Sequence, residues 1–402
     1  MSTPALTPAR PAGPTAPLTA ASLTQRTDQV AAVAAEHLAR TDRDAVFPVE
    51  ALAQMRRNGL LGLLVPQTHG GLGGTSDDMV TASIALGRTD MSVAMIFAMH
   101  CQQVAAVVRY GNERLRDELL PEIAAGRSYL ASVTTEAGKG GHLLTSESAL
   151  AAHDGELLLD RFAPIVTGGE YADGFLVTMR SPAPASPNQV SLVYAHRDQL
   201  TVERSGDWQP LGMRASHSVA LRLTGTLPAH HVVGEHGDFR TVVTQVFGPM
   251  AHLGWSACWL GTAAGALSRV VKLLRGPQSR GRVNLDSELL LTRLSRARQR
   301  IDAVHALLER TRQVVATAGD LSTPRVQLLL NGLKITAAEE CHRAVEDLVD
   351  AVGMRHGYLK DSPTRLEHAL RDLRSAALNY SNDRLHLADG KLALLDPEVR
   401  LD

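Results

Sequence analysis

Two stretches of this chain combine residue types and spacings suited to chemistry. SVTTEAGKGGH (Ser132 to His142) runs from a hydroxyl-rich extended segment, containing Thr134 and Thr135, into a turn carrying Lys139, Gly140 and Gly141. Backbone N–H groups bared by such a turn, together with a cation, suit an anionic or polar ligand. An ordinary β-turn has the same composition, so both readings stand at this point. RDLRSAALNYSNDRL (Arg371 to Leu385) starts with helical periodicity and ends in Asn379, Tyr380, Ser381, Asn382 and Asp383, with no glutamate in the run. A phenol, with a reference pKa of about 10, stays protonated at neutral pH and hydrogen-bonds more readily than it takes a proton.

Other motifs carry less. GGLGG (Gly70 to Gly74) lacks Gly-x-Gly-x-x-Gly spacing and reads as a turn. Glu339 and His342 have the Glu-x-x-His spacing of di-metal carboxylate sites, but the nearest mimic of a second copy is Asp383 with His386, at a fraying helix end, so a solvated helix face is the expectation. His100 in FAMHCQQVAAVV and His252 in FGPMAHLGWSACW each lie on an apolar helical stretch, where a packing histidine is the default and a base the alternative. No Gly-x-Ser-x-Gly elbow marks a hydrolase.

The elements that must position these residues fall into blocks. Residues 1–22, with five prolines, read as a disordered tail. Residues 23–128 show three- and four-residue apolar spacing and predict a helical domain, with Thr75 or Ser76 as the N-cap of one helix. Residues 129–237 hold short alternating runs (YLASVTT, GELLLDR, GFLVTMR, QVSLVYA, QLTVERS, VALRLTG) that predict a small barrel or sandwich. Residues 238–390 return to helical period in four long segments, near 239–275, 285–318, 324–352 and 363–389, as in a four-helix bundle, and 391–402 form a C-terminal tail. The class is α+β, multidomain.

Composition narrows the function. With 41 basic and 42 acidic residues among 402, and aromatics at 4%, neither a nucleic acid nor an anionic membrane is an expected partner. Three cysteines, Cys101, Cys258 and Cys341, form no CxxC pair, which fits a reducing cytosol. No apolar run of about 18 residues free of charges and breaks predicts a membrane span.

Taken together, these stretches resemble the acyl-coenzyme A dehydrogenase superfamily. FPVEALAQMRRNGLLGLLVPQTHGGLG, RYGNERLRDELLPEIAAGRSYLASVTTE, APIVTGGEYADGFLVTMR, GMRASHSVALRLTGTLPAHHVVG and HGYLKDSPTRLEHALRDLRS carry the resemblance, from about Leu23 to Leu385. It implies a helical domain, a β-barrel and a four-helix bundle, assembled as a homodimer or homotetramer around FAD. By the same resemblance Thr134 and Thr135 border the pyrimidine edge of the flavin, and Thr167, followed by Gly168, its N5/O4 side. Lys139, Gly140, Gly141, Arg280, Arg282 and Gly353 fall in the cofactor set.

Departures from the family accompany it. Gly141 stands for the family's serine at the pyrophosphate, Ile165 for its tryptophan, and no Arg-x-x-Phe-Gly is visible around Arg280 and Arg282. The usual glutamate position is Tyr380, and the alternative position, near Ala251, offers only the neighbouring His252. Tyr380, Asn379, His252 and His100 are therefore the candidates for chemistry. The resemblance leads to flavin-dependent oxidation of an acyl thioester, borne by coenzyme A or a carrier protein, or of a related small molecule, in a specialised pathway. The alternatives are a monooxygenase using oxygen and reduced flavin (FMN included) from a partner reductase, and a flavin-free relative serving as a scaffold.

Overall fold

The computed structural model describes residues 18–138, 142–183, 185–277 and 283–399. The first block is helical: α1 (Ala20–Asp44), α2 (Val49–Arg57), α3 (Ser76–Gly87), α4 (Met91–Tyr110) and α5 (Glu113–Ala124). Helix α1 begins inside the segment read as a tail. Thr19 caps it, with Ser22 completing a reciprocal capping box, and satisfying those first N–H groups starts the helix before its apolar periodicity begins. Residues 1–17 of the expected tail lie outside the described residues. Thr75 caps α3 as expected, with Asp78 as its partner.

The central block holds β1 (Leu130–Val133), β2 (Ala151–His153), β3 (Glu156–Ala163), β4 (Gly174–Arg180), β5 (Val190–His196), β6 (Leu200–Ser205), β7 (Ala220–Pro228) and β8 (Val232–Val233). They form two four-stranded sheets, ordered β1-β4-β5-β8 and β2-β3-β7-β6. The expected barrel is thus an open pair of sheets. Strand β3 alternates exposed and buried residues along its length, as a strand with one wet face does. Strands β4 and β5 are buried along almost their whole length and read as continuous apolar runs.

The C-terminal block comprises α6 (Phe239–Val242), α7 (Gly248–Arg275), α8 (Glu288–Thr317), α9 (Pro324–Gly353), α10 (Leu366–Leu373) and α11 (Asn382–Ala393). Three of the four expected bundle helices are continuous. The fourth is broken between Leu373 and Asn382, the stretch that contains Asn379 and Tyr380. One apolar core runs through all three blocks. Two segments, Met91–Tyr110 and Phe239–Arg275, are long and apolar enough to cross a membrane, but most of their residues are buried within the fold. All three cysteines are buried free thiols.

Candidate functional site

A cavity of about 810 Å³ opens where the three blocks meet, within the range of about 300–1,000 Å³ usual for small-molecule sites. Thr134, Thr135, Ile165, Thr167, His252, Asn379 and Tyr380 all line it. Residues dispersed over two-thirds of the sequence thus share one wall-to-wall space.

The sheet side is a bank of hydroxyls. Thr167 and Ser218 are 3.0 Å apart through their hydroxyls, and Ser218 lies 2.8 Å from Ser216. The Thr135 hydroxyl donates to the Ile165 carbonyl at 2.9 Å, which ties the end of β1 to the Thr167 loop. Thr134 lines the cavity, and its hydroxyl has no partner among the described residues. Beneath them lies an ion pair invisible to motif reading: Arg161, 1% exposed, meets Glu136 at 2.6 Å and donates to the Thr135 carbonyl at 2.9 Å. The other acceptor sites of Glu136 take the Ser148 N–H and hydroxyl at 2.9 and 2.8 Å. A buried ion pair asks that its remaining lone pairs and protons be met; the carboxylate's are, while the Arg161 Nε–H has no partner among the described residues. Gly168 turns the loop with φ of +61°. A Cβ there would strike Phe47 and the Tyr129 hydroxyl, so this residue shapes the loop from behind and is not part of the cavity lining.

The helical side is assembled from interruptions. A π-turn over 243–247 precedes α7, and Gln102 on α4 donates to the Phe247 carbonyl at 2.6 Å. That turn brings Val243, Thr244 and Phe247 to the cavity ahead of Ala251 and His252. His252 donates through Nδ1 to the Leu330 carbonyl at 3.2 Å, which leaves the Nε2 lone pair free. Burial, and then the charge of Lys334, push its pKa down to about 4, so the ring is neutral.

Lys334 is the residue that sequence reading missed. It is fully buried on α9 and donates to the carbonyls of Ala376 and Tyr380, each at 3.2 Å, and to Oδ1 of Asn382 at 2.7 Å. The two carbonyls belong to the break between α10 and α11, and Asn382 is the first residue of α11. Tyr380 sits there with φ of +47°, a left-handed conformation costly for a residue with a Cβ. Carbonyls released by a broken helix need donors, and the ammonium supplies three. Burial pushes the Lys334 pKa down to about 7. The same burial pushes the Tyr380 phenol above its ordinary value, further from acting as a base.

Arg371-Asp372 holds this segment against the rest. Arg371 pairs with Asp42 of α1 at 2.7 Å and Glu367 at 2.8 Å, and donates to the Leu211 carbonyl at 3.1 Å. Asp372 accepts the Met213 N–H at 2.7 Å. Gly212 is required between them, because a Cβ would collide with the Arg371 carbonyl. No carboxylate lines the cavity among the described residues, whereas exposed Arg240, Arg374 and Lys391 border it without an ion pair among those residues.

The structure separates the other candidates. His100 lies outside the cavity: its Nε2 donates to the Leu61 carbonyl at 2.9 Å and its Nδ1 accepts the Leu130 N–H at 3.0 Å. Both nitrogens are spent on backbone, so it is a packing histidine, and burial holds its pKa near 4. Gly353, φ +66°, ends α9 in an exposed position away from the cavity. Lys139, Gly140, Gly141, Arg280 and Arg282 lie outside the described residues. Glu339 and His342 belong to helix-surface pairs, with Arg343 at 3.2 Å and Glu346 at 3.6 Å, as expected for a solvated face.

The site tests well for a flavin ring. Hydroxyls of Thr134, Thr167, Ser216 and Ser218 offer donors and acceptors along one wall, while Met95, Met99, Phe247 and Trp255 give the apolar remainder. That donor set suits a flat, polar-edged heterocycle with an apolar face.

Comparison with known proteins agrees. Residues 23–127 match the family described as acyl-CoA dehydrogenase, N-terminal domain, and residues 253–382 the one described as acyl-CoA dehydrogenase, C-terminal domain. Mitochondrial isobutyryl-CoA dehydrogenase of Dictyostelium discoideum is 25% identical over 83% of this chain and 78% of its own. The prolyl acyl carrier protein oxidase AnaB superposes with a TM-score of 0.81 at 18% identity, covering 94% of this chain and 100% of its own. Dibenzothiophene monooxygenase (TdsC) from Paenibacillus sp. A11-2 gives the same score and identity, over 94% and 97%. At those identities the two structures speak to the fold.

Proposed function

The chain belongs to the acyl-CoA dehydrogenase family of flavin-dependent oxidoreductases, and from that premise we propose that it oxidises an acyl thioester without a carboxylate base. The observation that carries this reading is the charge of the cavity. Apolar walls lead to three cations with no ion pair among the described residues, Arg240, Arg374 and Lys391, and no carboxylate is among the described lining residues. Such a rim suits the phosphate of a coenzyme A or a carrier-borne phosphopantetheine arm, while the interior suits the acyl group. The likeness to a carrier protein oxidase supports a carrier-borne substrate, and the family supports assembly as a homo-oligomer.

A flavin bound against Thr134, Thr135 and Thr167 supplies two-electron acceptance from substrate. The chain's own residues then have three tasks. Hydroxyls of the sheet wall hold the polar edge of the ring. Met95, Met99, Phe247 and Trp255 exclude water from the acyl group. His252, with Nδ1–H fixed on Leu330, presents Nε2 as the proton acceptor in place of a carboxylate. Asn379 offers an amide to the carbonyl or hydroxyl of a bound molecule.

A second reading is favoured by one observation. A histidine held near pKa 4 is a weak base, and oxygen insertion by a monooxygenase asks less of a base than removal of a proton from carbon. Tight oxidised flavin in the desalted protein, bleached anaerobically by an acyl thioester, supports oxidation of thioesters. Substrate-dependent oxygen uptake only when a reductase supplies reduced flavin supports the monooxygenase. Failure of both with an intact fold points to the flavin-free scaffold. Thr167→Val should weaken flavin binding in either enzyme; unchanged affinity would place the ring elsewhere.

A further inference from the structure

Outside the cavity lining, Glu118 on α5 faces His230 and His231, which turn between β7 and β8. His230 Nε2 lies 2.9 Å from Glu118 Oε2, and His231 Nε2 lies 3.9 Å from the same oxygen. All three ligating atoms fall within 4.8 Å of one another. The two rings stand edge to face, at 84°, so their nitrogens converge without stacking.

His231 makes this more than a surface ion pair. It is 5% exposed, and its Nδ1 donates to the Tyr194 carbonyl at 3.1 Å. That bond fixes the tautomer whose Nε2 carries the lone pair, and Nε2 has no partner at hydrogen-bond distance among the described residues. A backbone carbonyl on the far nitrogen is how metal-ligating histidines are oriented. Tetrahedral zinc, with bonds of about 2.0–2.2 Å, separates its ligand atoms by roughly 3.3–3.5 Å. Reaching that spacing needs movement only from His230 and Glu118, the two more exposed members.

We propose that Glu118, His230 and His231 form a binding site for a borderline divalent cation of the zinc type, with water in the fourth position. Two imidazoles and one carboxylate suit Zn²⁺ or Co²⁺ better than Mg²⁺ or Ca²⁺, which prefer oxygen cages. Glu118 keeps Oε1 on Arg114 at 2.9 Å, leaving Oε2 for the metal; the guanidinium is a nearby charge that weakens the site. The ion would fasten the helical domain to the sheets. The joint is already preformed, since Asn112 donates to the His230 carbonyl at 2.6 Å and Gly234 N–H to the Tyr110 carbonyl at 2.9 Å. Binding therefore costs little ordering.

The test is titration of the untagged, metal-stripped full-length protein with Zn²⁺, and with Co²⁺ as a visible-absorbing probe of tetrahedral sites. One equivalent of each should bind, and zinc should raise the melting temperature. His230→Ala and Glu118→Gln should each weaken binding by about tenfold or more. Both positions are accessible enough to spare the fold, and circular dichroism checks that they do. No stoichiometric uptake by the wild type overturns the proposal, as does uptake that survives both substitutions unchanged.

Discussion

The two walls of the cavity are built by opposite means. The sheet wall presents hydroxyls from strands and a tight loop, locked by a buried ion pair behind Thr135. The helical wall is made where regular structure fails, at the π-turn before α7 and at the break between α10 and α11. One wall holds its groups by regular structure. The other holds them by single side chains, Gln102 and Lys334, that meet the carbonyls regular structure left open. Such a wall accepts new chemistry cheaply, because a few substitutions change what it presents. The helical wall presents no carboxylate among the described lining residues, while the sheet wall presents Thr134, Thr135 and Thr167.

The strongest way to break the comparison is to unlock the sheet wall. Arg161→Met leaves Glu136 charged, buried and short of its partner, and breaking a buried pair costs roughly 3–5 kcal/mol. Urea unfolding should show a loss of that order, against a total of about 5–15 kcal/mol for a typical domain. A loss under about 1 kcal/mol would mean that the wall is not held by the pair.

On the helical wall the largest effect is expected on turnover. His252→Gln keeps a donor toward Leu330 but removes the Nε2 lone pair. Turnover of the thioester should fall by about 10²–10⁴-fold, the usual contribution of a general base, while flavin content and melting temperature hold. Undiminished turnover would remove His252 from proton transfer and leave the monooxygenase reading ahead.

Much of the ring side was legible in the sequence and little of the other. Six of the eight strands follow from alternation and turn residues; β2 and β8, only three and two residues long, give too little pattern. Thr134, Thr135 and Thr167 met in space because strand ends are set by local rules. The break after Leu373 was not foreseen, since ALNY continues the helical period and nothing local says that a lysine forty-six residues earlier will take the carbonyl of Tyr380. Arg161 shares the buried face of β3 with Leu157 and Leu159, and nothing local in the sequence marks Glu136 as the partner of a charge there.

Lys334 sharpens the contrast. Its folded pKa, about 7, lies below the ordinary 10.5, so between those values the unfolded chain binds the extra proton. From this group, stability therefore rises with pH across that window and is lowest below it. Lys334→Met should flatten that rise. It exchanges a costly buried charge for an apolar side chain, so it should shift overall stability by no more than roughly 1–3 kcal/mol, the cost of carbonyls left short of a donor. The site should suffer more than the fold, through a raised KM as the Asn379–Tyr380 segment loosens. An unaltered KM and pH slope would show that the break holds itself.

The smallest effect is expected at Tyr380, and it separates phenol from backbone. Its hydroxyl has no partner among the described residues, and burial keeps it protonated. If it only hydrogen-bonds a ligand, Tyr380→Phe should cost at most about tenfold in turnover, one bond's worth of roughly 0.5–1.5 kcal/mol. Tyr380→Gly removes the ring but relieves the left-handed backbone at φ +47°, a strain of about 1–2 kcal/mol, so stability should hold while the apolar contact of the ring is lost. A collapse of turnover in Tyr380→Phe would make the phenol part of the chemistry. Equal behaviour of the two variants would mean that the ring itself contributes nothing, with Lys334 holding the turn in both.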